Sequence, residues 1–175
     1  MDTVDGIGVT LIDDGMPCVL LRATDFGITG TETPQDLESN QNLKTKLETL
    51  RLRVGERMNL GDVTDKSVPK MTLLSAPQNG GLINTRSFIP HRCHKNIGVM
   101  AAVTAASACL QKGTVADGIA ATPCDNVIRT HHIEHPTGSL PVVERTLPNG
   151  ETDWFATPRS ARKLMDGTVY PREEP

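Results

Sequence analysis

Asn96-Ile97-Gly98-Val99-Met100-Ala101-Ala102-Val103-Thr104-Ala105-Ala106-Ser107-Ala108-Cys109-Leu110 runs for fifteen residues without a charge. Alanine, methionine and leucine favour a helix, and the absence of a polar face means that this helix is buried on nearly all sides. Its small side chains, from Gly98 through Ala101, Ala102, Ala105 and Ala106 to Ala108, let neighbouring backbone approach closely. Lys112-Gly113 supplies a cationic last turn and a glycine beyond it, which predicts where the helix stops. A helix of this kind needs a sheet around it, so the expected fold is α+β: a mixed or antiparallel β-sheet wrapped around a central buried helix.

The flanking sequence supplies the strands. Gly8-Val9-Thr10-Leu11-Ile12 and Val19-Leu20-Leu21 are apolar runs separated by Asp13-Asp14-Gly15-Met16-Pro17, which reads as strand, tight turn, strand. Thr33-Pro34 announces a helix, with threonine as N-cap and proline in the first turn. Leu43, Leu47, Leu50, Val54 and Met58 then form an apolar stripe on a longer helix, and Lys44, Lys46, Glu48, Arg51 and Arg53 are expected on its solvent side. Met71-Thr72-Leu73-Leu74 reads as a strand. Three more strands are expected between Asn126 and Ala156, the last two joined through the hairpin signal Asn149-Gly150. A short helical turn at Arg159–Met165 and a terminal strand at Thr168–Tyr170 complete the prediction.

Composition bounds the function. With 175 residues, 18 Lys and Arg against 21 Asp and Glu, and a net charge of −3, the chain carries no basic stripe for nucleic acid. No apolar run reaches the roughly 18 to 20 residues that cross a bilayer. The acidic start, Met1-Asp2-Thr3-Val4-Asp5, lacks a secretory pattern, so the expected location is cytoplasmic. Cys18, Cys93, Cys109 and Cys124 form no CxxC pair, which argues against a disulfide or zinc scaffold.

Two places concentrate chemistry. His91-Arg92-Cys93-His94 precedes the buried helix, where unpaired backbone N–H groups and the positive end of the helix dipole favour an anion. A thiol placed there would have a lowered pKa. Asp14-Gly15-Met16-Pro17 is a turn whose amides would clamp a carboxylate if it faced the same cleft. His131-His132-Ile133-Glu134-His135 looks superficially like a metal site, but the Glu stands beside the last His rather than the first, and in a strand His131, Ile133 and His135 share one face. No metal is expected.

Several segments in order carry a resemblance: Ile12-Asp13-Asp14-Gly15-Met16-Pro17, Asp25-Phe26-Gly27-Ile28-Thr29-Gly30, Met58-Asn59-Leu60-Gly61-Asp62-Val63, Val68-Pro69-Lys70-Met71, Phe88-Ile89-Pro90-His91-Arg92-Cys93-His94, His135-Pro136-Thr137-Gly138 and Thr157-Pro158-Arg159-Ser160-Ala161-Arg162. Over nearly the whole chain this resembles the PrpF-like family of the diaminopimelate epimerase fold, most closely its 4-oxalomesaconate tautomerase branch. The resemblance implies two pseudo-symmetric lobes with the active site between them, residues 1–175 being the C-terminal lobe alone. It implies a cofactor-independent isomerase that moves a proton on a small polycarboxylate in aromatic acid (gallate) degradation. It further implies Cys93 as catalytic residue and Gly15, Met16, Pro17, His91, Arg92 and His94 as substrate contacts, with the principal base in the other lobe. Two copies that pair, or one copy paired with a separate amino-terminal lobe, would each complete the site. A catalytically incomplete lobe that only binds anions is the alternative.

Overall fold

Cys18, Val19, Leu20 and Leu21 are all buried, so the strand that holds them is covered on both faces. The structure, a computed structural model describing residues 1–172, shows what covers it. Eight strands form one sheet in chain order: β1 (Asp2–Val4), β2 (Ile7–Asp13), β3 (Pro17–Arg22), β4 (Lys70–Ser75), β5 (Ile83–Phe88), β6 (Ile128–His135), β7 (Gly138–Thr146) and β8 (Thr152–Ala156). The pairs β3/β4 and β5/β6 are parallel and the rest antiparallel. Three α-helices, α1 (Pro34–Ser39), α2 (Gln41–Val54) and α3 (Val99–Leu110), and two short 3-10 turns lie in the connections.

Alternation divides the core in two. Cys18, Leu20, Leu74 and Ile83 pack with the alanines of α3, the helix expected at the centre, whose residues 101–108 are all buried. Val19, Leu21, Met71, Leu73 and Phe88 pack on the opposite face with Leu37 of α1 and Leu43, Leu47, Leu50 and Val54 of α2. The sheet therefore curves round α3 and carries α1 and α2 on its back. The predicted hairpin 13–17 and the three late strands are present. Thr33 caps α1 in a reciprocal box with Asp36.

Several expectations are corrected. Arg51 is on the inside, fully buried; its Nη1 donates to the carbonyls of Val63 (2.7 Å), Lys66 (3.0 Å) and Val68 (3.0 Å), and its Nε bonds Glu48 at 2.7 Å. Helical spacing placed it one step beyond the stripe, but carbonyls from the 63–68 loop draw it in. Helix α3 starts at Val99 rather than Asn96 and ends at Leu110 with no basic residue in its last turn. The segment Ile83–Phe88, for which the sequence reading gave no strand, is β5, in the middle of the sheet. Arg159–Met165 forms no helical turn and Thr168–Tyr170 no strand; both are exposed, because nothing in the described chain lies alongside to share their hydrogen bonds.

The direction of α3 positions the site. Thr104 Oγ1 donates to the carbonyls of Asp14 (3.2 Å) and Met16 (3.1 Å), and further along the chain the Val115 N–H donates to Thr10 Oγ1 (2.9 Å). The amino end of α3 thus points to the edge of the sheet where the β2–β3 turn lies. The β5–α3 loop and the β6–β7 turn meet at the same edge, tied by a bond from Thr137 Oγ1 to the Lys95 carbonyl at 3.0 Å.

Candidate functional site

Residues 89–98 join β5 to α3 by doubling back on the strand end. The Ile89 N–H donates to the Arg92 carbonyl (3.0 Å), the His94 N–H to the Ser87 carbonyl (2.8 Å), and Cys93 faces Phe88 in a single antiparallel bridge. This fold-back seats the Cys93 side chain beside Phe88 in the core shared with α1 and α2, 5 % exposed. Next to it opens a cavity of about 600 Å³ between α1, at Pro34, Gln35 and Glu38, and the wall Arg92, Cys93, His94 and Lys95. Two fixed cations and one histidine against a single carboxylate make the wall net positive, suited to an anion with more than one carboxylate.

The acidity of Cys93 runs against the expectation from sequence. Burial pushes the thiol up to about 11; the nearby Arg86 guanidinium opposes this and Glu38 adds to it. The helix dipole is effective only over its first turn, and α3 begins six residues beyond Cys93. At neutral pH this group is a protonated thiol.

The predicted substrate residues are brought to one edge of the sheet but not to one cavity. Arg92 and His94 flank Cys93; Arg92 Nε stands 3.8 Å from Glu38, and His94 Nδ1 accepts from the Asn96 N–H at 3.3 Å. His91 turns the other way, its Nδ1 3.7 Å from Glu48 of α2. Gly15, Met16 and Pro17 lie at α3 itself: Gly15 has φ +92° and sits against the end of Met100, so close that a side chain there would collide with it. Asp14 and Gly15 open into a different depression, a groove of about 1040 Å³ between α3 and β8.

The histidine-rich strand is accounted for by its partners. His131 Nε2 is 2.8 Å from Glu144 Oε2, and Thr152 Oγ1 donates to the other oxygen at 2.8 Å. His135 stands at the far end of β6, near His94 and Arg86. Burial depresses its pKa, and the two neighbouring cation-forming groups push the same way. Among the described residues no three His, Cys, Asp or Glu side chains are grouped to hold a metal ion.

Sequence reading missed the place of His135 and above all Arg86. Asn84-Thr85-Arg86-Ser87-Phe88 alternates, so Arg86 shares a face with Phe88. An arginine at an inward strand position is a legible signal, but only after β5 has been recognised as a strand.

Over residues 1–172 the chain matches the family model described as PrpF protein. It is 52% identical over 170 residues to the (4E)-oxalomesaconate Delta-isomerase of Novosphingobium sp. (strain KA1), covering 97% of this chain and 47% of that protein. It is 54% identical over 168 residues to the 4-oxalomesaconate tautomerase of Pseudomonas putida (strain KT2440), covering 96% of this chain and 46% of that protein. The chain spans about half the length of the curated relatives it matches. A crystal structure of methylitaconate-delta-isomerase superposes with a TM-score of 0.73 at 20% identity, covering 85% of this chain and 45% of the other, a likeness of fold.

Proposed function

The chain belongs to the PrpF protein family, and from that premise we propose that it is one lobe of an isomerase that shifts a proton on a small polycarboxylate of the 4-oxalomesaconate kind. The observation that carries the reading is Cys93, a protonated thiol in the wall of a cavity lined by Arg92, His94 and Lys95. Moving a proton next to a carboxylate requires an acid or base at the reacting carbon and donors for the enolate and carboxylate oxygens. In this reading Cys93 enters as the acid that protonates the enolate carbon, and its thiolate takes a proton back in the reverse direction. Arg92 and His94 hold carboxylate oxygens, Gly15, Met16 and Pro17 border the substrate across the amino end of α3, and His91 reaches it on leaving Glu48. The step calls for no metal or organic cofactor, because delocalisation into the adjacent carbonyl already acidifies the carbon.

Coverage of about half of each relative supports a site completed from elsewhere. We place the second wall, with the principal base, on an amino-terminal lobe or on a second copy of this chain. The assay is loss of the enol absorbance of 4-oxalomesaconate, measured with the chain alone and with the amino-terminal half of the Pseudomonas putida tautomerase added. Turnover in either mixture that falls at least tenfold with Cys93→Ser supports the reading. Turnover unaffected by that substitution removes Cys93 from the mechanism. Absence of turnover in both mixtures, with tricarboxylate binding retained, leaves the anion-binding lobe as the better description.

A further inference from the structure

We propose that Arg86 is the carboxylate receptor of this site, acting through Nη2. The proposal rests on the isomerase reading for the nature of the ligand, but its geometry stands without it. Arg86 is 7 % exposed, and three of its five N–H groups are used within the protein: Nε donates to the Glu32 carbonyl (2.8 Å), and Nη1 to Asn84 Oδ1 (2.9 Å) and the Thr85 carbonyl (2.9 Å). Nη2 makes no hydrogen bond among the described residues. Since no fully buried side-chain nitrogen or oxygen among them lacks a partner, Nη2 must keep contact with solvent. The residue therefore holds two unused donors within reach of water.

A guanidinium this deeply buried ordinarily lies on a carboxylate, because removing the charge from water is costly. Two carboxylates lie near Arg86, and both are occupied otherwise. Glu134 accepts from the N–H groups of Gln78 (2.6 Å), Asn79 (2.7 Å) and Gly81 (2.9 Å); Glu32 accepts from Thr29 (2.7 Å) and Gly30 (2.8 Å). Neither bonds the guanidinium. On the same face, about 7 Å along β5 by strand geometry, is Phe88, with Cys93 beside it. His94 and His135 are near enough to act electrostatically on one another, and Arg86 acts on His135, although His135 alternates with Ile133 onto the α3 side of the sheet. A rigidly held cation with free donors and a thiol one strand step away leave those donors unfilled, and a carboxylate oxygen of the ligand fits them. The three internal bonds would hold Nη2 in place before binding, so little conformational freedom is lost when the anion arrives.

The test reads binding without chemistry. Tricarballylate, a saturated tricarboxylate that cannot enolise, is titrated into the 175-residue chain by calorimetry, and in parallel the arginine Nε–Hε resonances are followed by NMR. The expected result is a shift of the Arg86 resonance while that of Arg22, bonded to the Val115 carbonyl at 2.8 Å, stays in place. Arg86→Gln should weaken binding at least tenfold, with Arg86→Lys between that variant and the unsubstituted chain. An Arg86 resonance unmoved at saturation, an Arg86→Gln chain that binds as tightly as the parent, or a parent chain that binds no tricarballylate would each overturn the assignment. If the variants do not fold, the resonance experiment on the unsubstituted chain decides. Binding through Arg86 without turnover in the enol assay counts against the isomerase and leaves the receptor standing.

Discussion

Arg51, Cys93 and Glu134 show how far a side chain's chemistry depends on what is packed around it. Arg51 joins α2 to four carbonyls of the 63–68 loop, including that of Thr64 at 3.4 Å. Arg51→Met leaves those carbonyls and Glu48 unmatched, and should lower the unfolding free energy by about 3 kcal/mol in urea titration. For Cys93, a thiol raised to about 11 predicts slow alkylation by iodoacetamide at pH 8, with the rate still rising towards pH 11, whereas exposed Cys124 reacts first. A pH-independent rate at Cys93 above pH 8 would contradict the burial argument. For Glu134, burial alone would raise the pKa, but the three N–H donors and Arg86 hold it below the ordinary 4.5. Its stabilisation is thus fully present above the unfolded value and is lost as pH falls through the lower folded one. Glu134→Gln should cost about 1–3 kcal/mol at pH 7 and flatten the acid limb of the stability curve below pH 4.5.

Among the elements, those whose signals are local were legible and those that depend on a distant neighbour were not. The capping box of α1, the turns at Gly15 and Gly150 with φ +92° and +85°, and the leucine stripe of α2 are all readable from a few adjacent residues. Thr33→Ala removes one half of the box and should lower stability by about 1 kcal/mol. Helix α3 was legible because uniform apolarity needs no register. Its close fit makes a sharper prediction: Ala102→Leu, at a fully buried position, should cost about 1–3 kcal/mol through overpacking, with the loss read as a lower urea midpoint. Strand β5 was missed because Asn84, Thr85, Arg86 and Ser87 are polar yet all buried. Their hydrogen bonds to Gly30, Glu32 and Glu134 come from segments about fifty residues away, and no local pattern announces them.

For the molecule as a whole, the sheet order follows the chain order and both faces are covered, yet among the described residues those beyond β8 contribute nothing to either core. Leu164, Met165, Val169 and Tyr170 are 86–88% exposed, so ending the chain after Arg159 should leave the melting temperature of the isolated chain within about 2 °C. A larger drop would mean that the segment packs on a second copy in solution, and the mass by sedimentation would then fall with the truncation. The sequence by itself determined the α+β class, the buried helix, the hairpins and the family, since hydrophobic period, turn chemistry and ordered motifs are properties of neighbouring residues. Only the tertiary structure decided that Arg51 points inward, that the Cys93 thiol is protonated, that His91 turns to Glu48 and that Arg86 is buried with no carboxylate bonded to it among the described residues. The physical reason is that the energy of a charge depends on which remote segments exclude water from it and which of their polar groups replace that water, and neither is written in its own stretch of chain.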